Sequence, residues 1–375
     1  MSELVNARDA NIRKNLLATA SALALVAYIA ATDTAKAENT ARPTVWIDLG
    51  GQMETVQGVS SPLSAPFMGI VPDPGSYDLD IFSKNQRPAR FAFGFEGALN
   101  FSPENSNWVF MAGIRYGRSH TRRHEHRQGE QPIAHKYNRT TTMPVYARPF
   151  ADVAMKYAES HTILDFKAGR DVGVGAFGPE GLSTIGIGIR YADFSLNSDT
   201  QISARPHIGY AFRPRNNFPF ATFYQYFQSG HFARSFHGIG PSLSWNASAA
   251  LAGNADAGEL TFDWGANAAL LFGRQKAKTA HGTQAYHLTQ QSRRRSGYPL
   301  AYPTRSYHDT RARSVTTPNL GAFAGLSLRK RNAKVSFGYR ADFFFGAVDT
   351  GIDARHTKDL GFYGPYATIS IGLGG

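Results

Sequence analysis

Along this chain, side chains switch between apolar and small or polar at every second position in roughly ten separate stretches. The run from Arg90 to Phe101 is the clearest. Phe91, Phe93, Phe95, Gly97, Leu99 and Phe101 fall on one face, and Arg90, Ala92, Gly94, Glu96, Ala98 and Asn100 fall on the other. A period of two is the signature of a β-strand, because successive side chains of a pleated strand point to opposite faces. The pattern returns from Leu260 to Gly273, with Phe262 and Trp264 on the apolar face and Asp263 opposite, and from Val335 to Phe345, with Phe337 and Phe343 opposed by Arg340 and Asp342. Between Leu164 and Val174 it recurs with Arg170 interrupting the apolar face. Several stretches are long enough to cross a bilayer. A lipid-facing apolar face with charges on the other side predicts a transmembrane barrel in preference to a soluble sandwich.

The spacing predicts strands near 43–53, 89–102, 106–119, 161–175, 182–205, 219–252, 258–275, 314–331, 333–348 and 362–374. The intervals alternate: long ones at 54–88, 120–160, 206–218, 276–313 and 349–361, tight ones at 103–105, 176–181, 253–257 and near Arg331 and Asn332. Short turns on one side and long loops on the other match bacterial outer-membrane barrels, whose long loops face outward. Both termini then lie on the short-turn side, which requires an even strand number. The expected fold is all-β, a single antiparallel up-and-down barrel of about ten strands, with eight or twelve left open. Phe91, Phe93, Phe95, Phe262, Trp264, Phe337 and Phe343 are assigned to the lipid face.

The N-terminus agrees with export. Arg13 and Lys14 precede an apolar run from about Leu16 to Ala31, followed by the small-residue site Ala35, Lys36, Ala37. This reads as a signal peptide over 1–37, leaving 38–375 as the barrel domain. No later run approaches the ~20 apolar residues that a membrane helix needs. The chain contains no cysteine, which excludes a disulfide framework and thiolate chemistry. Charged residues amount to 18% and aromatic residues to 13% of the 375 residues, with 37 glycines, as strands packed around a narrow lumen require.

The formal net charge is +12, and much of it sits in the long intervals. The interval 276–313 carries Lys276, Lys278, Arg293, Arg294, Arg295, Arg305, Arg311 and Arg313 against the single acid Asp309. These are candidate contacts for lipopolysaccharide phosphates or for anions at a pore mouth. The basic balance brings no nucleic-acid motif with it, so nucleic acid is not an expected partner. On the inward faces Arg90, Glu96, Arg115, Asp165, Lys167, Asp171, Arg190, Asp263, Arg329, Arg340 and Asp342 carry both signs. In a narrow lumen such charges pair, since unpaired burial is costly, which favours a plugged or narrow lumen over a wide aqueous channel.

Catalytic and metal chemistry finds little to build on. His124, Glu125 and His126 place two imidazoles on one side of an extended segment, but Arg122, Arg123 and Arg127 beside them repel a cation. His308 and Asp309 are adjacent, with nothing to single them out. No nucleophile elbow, phosphate loop or zinc-protease helix occurs. The chain is therefore expected to be no enzyme, with no catalytic, metal or cofactor site.

From about Leu164 to its end the chain resembles the Legionella-type major outer-membrane protein family. The resemblance is carried by Gly188-Ile189-Arg190-Tyr191-Ala192-Asp193-Phe194, then Gly238-Ile239-Gly240-Pro241, Ala268-Ala269-Leu270-Leu271-Phe272-Gly273, Pro318-Asn319-Leu320, Gly338-Tyr339-Arg340 and Gly364-Pro365, in that order. It implies an outer-membrane location and porin-like passage of small solutes, and it brings no catalytic residues. One feature departs from barrels of this kind: the chain ends Ile371-Gly372-Leu373-Gly374-Gly375, without a terminal aromatic residue. Two functions follow as expectations. One is a narrow porin-like channel for small, anionic solutes. The other is a structural or surface-binding barrel with a plugged lumen, whose basic loops meet lipopolysaccharide or a host surface.

Overall fold

The computed structural model describes residues 45–58, 92–103, 106, 108–128, 131–136, 142–147, 150–171, 182–205, 208–212, 219–254, 258–290, 300–301, 305–352 and 354–373. Nearly all of these lie in strands: β1 (Val45–Gln57), β2 (Ala92–Phe101), β3 (Trp108–Gln128), β4 (Gln131–Lys136), β5 (Thr142–Ala147), β6 (Phe150–Asp171), β7 (Leu182–Arg205), β8 (Ile208–Phe212), β9 (Pro219–Asn254), β10 (Gly258–Gln290), β11 (Leu300–Ala301), β12 (Arg305–Lys330), β13 (Ala333–Asp349) and β14 (Thr357–Leu373). The signal peptide expected over 1–37, and Arg90, Phe91, Arg293, Arg294 and Arg295, fall outside the described residues.

Ten strands form the barrel, in the order β1-β2-β3-β6-β7-β9-β10-β12-β13-β14, and β14 pairs back onto β1. Every pairing in the ring is antiparallel between strands adjacent in that order, so the barrel is up-and-down and has no free edge. Closure matters because an unpaired edge in hydrocarbon would leave a row of backbone polar groups without partners. The remaining four strands are accessory. β4 and β5 form a hairpin between β3 and β6, while β8 pairs with the start of β9 and β11 with the end of β10.

The two ends of the barrel differ. At one end the strands are joined by tight connections, such as the two-residue turn at Arg331 and Asn332, where Arg331 takes a positive φ of 50°. At the other end the strands run on well beyond the apolar region. β9 has 36 residues and β10 has 33. This corrects the expected loop boundaries: 276–290 and 305–313 are strand, not loop, and much of 120–160 belongs to β3 and β6. The reason is physical. Above the apolar belt the outward face is polar, so the apolar alternation stops while the ladder hydrogen bonds continue. On β10 the outward face changes from Leu270 and Phe272 to Arg274, Lys276 and Lys278, all in one unbroken ladder.

The outer surface below that change is a continuous apolar belt. Phe93 and Phe95 are 67% and 68% exposed, Phe337 is 65% and Ile187 is 63%. Phe262 is exposed as well, and Trp264 and Phe343 point the same way but are half-buried by neighbours. Along the short-turn edge of the belt, Trp108, Arg170, Ile185 and Trp245 stand in register across β3, β6, β7 and β9. Arg170, which interrupts the apolar alternation of its strand, is thereby placed at the foot of the belt rather than within it.

Candidate functional site in the barrel lumen

The lumen is filled in three layers, two made by inward-facing side chains of the barrel strands and the third by a segment that folds in after β13. The lowest, at the short-turn end, is a polar cavity of about 520 Å³. Eight of the expected lumen charges line it: Glu96, Arg115, Asp165, Lys167, Arg190, Asp263, Arg329 and Arg340. Near its mouth Asp263 accepts from Lys334 Nζ (2.6 Å), Ser248 Oγ (2.6 Å) and Ser327 Oγ (2.6 Å). The Arg329 guanidinium lies over the Trp46 ring, 5.3 Å from its centroid. Deeper, Arg340 pairs with Glu96 and covers the Tyr366 ring.

The cavity ends on a cross-barrel network. Arg190 donates through Nε and Nη2 to the two oxygens of Asp165 (2.7 and 2.9 Å), and through Nη1 to Asn267 (2.6 Å) and Asn319. Arg115 Nη1 reaches Asp342 at 2.5 Å, and Asp342 also lies 3.8 Å from Arg190. β3 and β13 stand well apart in the ring, so the Arg115–Asp342 pair ties opposite walls together. The Arg190–Asp165 pair, between the neighbouring strands β7 and β6, is bidentate, the strong form of such a contact. Glycine makes the room: a Cβ on Gly321 would meet Asp342 Oδ1 at 2.1 Å. The remaining two expected charges sit elsewhere. Arg90 is outside the described residues, and Asp171 lies at the end of β6 by its backbone alone.

Above the charges the lumen turns apolar, which the alternation did not reveal. Phe194 (β7), Phe236 (β9), Phe344 (β13) and Phe362 (β14) converge with Ile163, Leu271 and Leu360 into one buried cluster. Phe194 is fifth in the ring from β1 and Phe362 is tenth, yet their rings lie 5.5 Å apart between centroids, and Phe194 meets Phe344 edge-on at 4.7 Å. Phe194, Phe236 and Phe344 have no solvent exposure. Side chains from opposite walls therefore touch, and the lumen is shut at this level. Ala92, on the inward face of β2, joins the same cluster. Beside it His161 bridges two carboxylates, 2.8 Å from Glu159 Oε1 and 3.3 Å from Glu54 Oε2, with Ser119 donating to Glu159. Gly117 gives the imidazole its space, since a Cβ there would stand 2.2 Å from His161 Cε1.

The third layer is backbone. After Phe344 the β13–β14 register shifts, Gly346 turns with a positive φ of 64°, and the chain folds inward before β14 begins. Ala347, Val348 and Asp349 are almost wholly buried. Arg311 on β12 holds this segment, donating to Asp349 Oδ2 (3.0 Å), Ile352 O (2.9 Å) and Gly351 O (2.8 Å), and to Asp309 (2.8 Å). Arg234 of β9 donates to Thr350 O (3.2 Å), and Thr279 of β10 to Ile352 O (3.4 Å). Burial works to lower the Arg311 pKa, but the hydrogen bonds and charge of Asp349 and Asp309 outweigh it and hold the guanidinium firmly protonated. Arg234 has less support, and burial pushes it down to about 10 despite Tyr157 and Asp349.

The expected anion contacts divide accordingly. Lys276 and Lys278 are exposed on the outer face of β10, whereas Arg313, though exposed, pairs with the buried Gln275 and so lies on the inward-facing side of β12 with Arg311. Arg311 points inward and is engaged by the folded-in segment, and Arg305 is placed in β12 by its backbone. His308 faces outward while Asp309 turns inward to Arg311, so the two do not work as a pair. His126 and His124 both approach Asp152 Oδ1, at 2.6 and 3.6 Å, on the outer face above the belt.

No family model matches the chain, and no curated protein matches its sequence. Among solved structures it is similar to a bacterial polysaccharide outer-membrane secretin, at 8% identity over 89% of this chain and 100% of the other, with a TM-score of 0.20. It is also similar to a mutant of the monoaromatic hydrocarbon channel TodX, at 9% identity over 89% and 91%, with a TM-score of 0.22. A third is the transport unit of the autotransporter AIDA-I from Escherichia coli, at 8% identity over 92% and 96%, with a TM-score of 0.20. Likeness this slight carries no argument, and the fold stands on the strand register itself.

Proposed function

We propose that the protein is an integral outer-membrane barrel that works as a structural and surface-binding element with a closed lumen. The membrane reading is supported by the closed ring with its exposed apolar belt, since an apolar surface of this extent in water would drive association. The observation that carries the closed reading is the contact of Phe194 with Phe344 and Phe362 from opposite walls. Burying each such ring contributes about 1.5–3 kcal/mol, so parting several of them is too costly for a gate that opens thermally. Function then lies on the surface. The strands that rise above the belt present Lys276 and Lys278 outward, where they meet lipopolysaccharide phosphates. Among the described residues no side-chain cluster favours an enzymatic reading over this one. Export through the signal peptide at 1–37 and kinship with the Legionella-type major outer-membrane family belong to the same proposal.

A second reading keeps one specific observation, the polar cavity that rises from the short-turn end to the Arg115–Asp342 layer. It is a channel for small anionic solutes that conducts when the aromatic layer and the segment 346–356 move aside. Planar-bilayer recordings of the purified protein separate the two. The closed barrel gives no conductance steps at any salt. Steady anion-selective steps from the wild type would overturn it in favour of the channel.

A further inference from the structure

Arg170 is a charge on the lipid-facing side of a barrel strand, and nothing in the lumen or the basic outer extension accounts for it. It is exposed, and among the described residues no carboxylate lies within ion-pair distance. Its neighbours in register are Trp108 on β3 and Ile185 on β7. Directly above it the outer wall is hollowed. A groove of about 830 Å³ runs up over Ala168, between Phe101 and Phe110 on one side and Ile187 and Ile189 on the other, as far as Pro241. Ala168 opens this hollow because it is the small residue in a row with Phe110 and Ile187. From the Arg170 row to that of Phe166 and Ile189 is four residues, about 13 Å along the strand. The stacked Phe101 and Phe110 rings, 6.4 Å apart, form a firm flank.

We propose that this groove is a binding site for an anionic phospholipid of the leaflet at the short-turn end. One acyl chain lies in the groove and the headgroup phosphate sits on Arg170. The occupant follows from two things together, an apolar trough on the outer wall and a cation at its foot with no ion-pair partner among the described residues, with the Trp108 indole beside it at the depth where interfacial aromatic residues sit. The leaflet follows from Arg170 being at the short-turn edge. The inference rests on the outer-membrane reading above.

The test uses tryptophan quenching by lipids brominated on their acyl chains, with the full-length barrel inserted into phosphatidylcholine vesicles. Vesicles made wholly of brominated phosphatidylcholine report insertion: wild type, Arg170→Gln and Ala168→Phe are all quenched. If none is quenched, the membrane reading fails. A small fraction of brominated phosphatidylglycerol in plain phosphatidylcholine reports the site. Wild type is expected to favour the anionic lipid about fivefold over brominated phosphatidylcholine at the same fraction, as one cation near a headgroup provides. Arg170→Gln should lose that preference while still being quenched by the wholly brominated vesicles, and Ala168→Phe should lose it by filling the groove. Quenching with no preference in the wild type, or a preference untouched by Arg170→Gln, overturns the site and leaves the membrane reading intact.

Discussion

The lower and upper halves of the lumen are made by the same ten strands and the same alternation, yet they are closed by opposite means. Below, Arg190, Asp165, Arg115 and Asp342 bind opposite walls by charge and leave a water-accessible cavity beside them. Above, Phe194, Phe236, Phe344 and Phe362 fill the cross-section and leave no exposed surface. An inward face therefore need not be polar for its whole length. Charges need geometry and partners to be stable in a confined space, whereas rings need only volume. The charged layer fixes which walls face each other, and the aromatic layer excludes water.

The comparison is broken most strongly from the aromatic side. Phe194→Ala should destabilise the barrel by about 3–5 kcal/mol, measured by urea unfolding in detergent micelles, because the closed ring cannot collapse onto the cavity left behind. A loss below 1 kcal/mol would mean that the upper layer is loosely packed. Removing a charge should act by a different route. Asp342→Ala strands Arg115 beside Arg190 and should cost about 3 kcal/mol, but the triple change Arg115→Met, Arg190→Met, Asp342→Leu should recover much of it, since a buried network replaced as a whole by apolar groups is close to neutral. No such rescue is available for Phe194, and equal rescue of both would erase the distinction between the layers. Arg311→Ala, which frees the folded-in segment but leaves both layers alone, should cost less. The expected readout is local, at least a tenfold faster hydrogen exchange at the amides of Gly351 and His356, with little change elsewhere. The smallest effect belongs to the outer surface. Lys276→Gln with Lys278→Gln should leave stability within about 0.5 kcal/mol and weaken lipopolysaccharide binding, more so at low salt.

Much of this was legible in the sequence. Phe93, Phe95, Phe262 and Phe337 lie on the outer face, the ring has ten strands, and Glu96, Arg115, Asp165, Arg190, Asp263, Arg340 and Asp342 turn inward, because period-two alternation reports facing directly. The tops of the strands were not legible. Above the apolar belt both faces of β10 become largely polar, so Arg274 to Gln290 carries no apolar alternation although it stays in the ladder. The aromatic layer was hidden for the converse reason. An inward Phe194 looks like a flaw in one strand, and only the ring brings it to Phe362, 168 positions later in the chain. A local trace did exist in Phe343, Phe344 and Phe345, where three consecutive rings put apolar surface on both faces of β13. The inward fold at Gly346 left no pattern, since a single glycine among 37 does not announce a positive φ.

The closure of the lumen is tested most directly by placing single cysteines in this cysteine-free chain and reacting them with a membrane-impermeant maleimide. Asn246→Cys lies in the wall of the lower cavity, and Ala192→Cys replaces a small, fully buried side chain within the aromatic layer. In detergent-solubilised protein, where both ends are open to reagent, Asn246→Cys should be labelled rapidly and Ala192→Cys should stay unlabelled until the barrel is denatured. Labelling of Ala192→Cys in the folded barrel at the rate of Asn246→Cys would show water running through the aromatic layer, and would contradict a closed lumen.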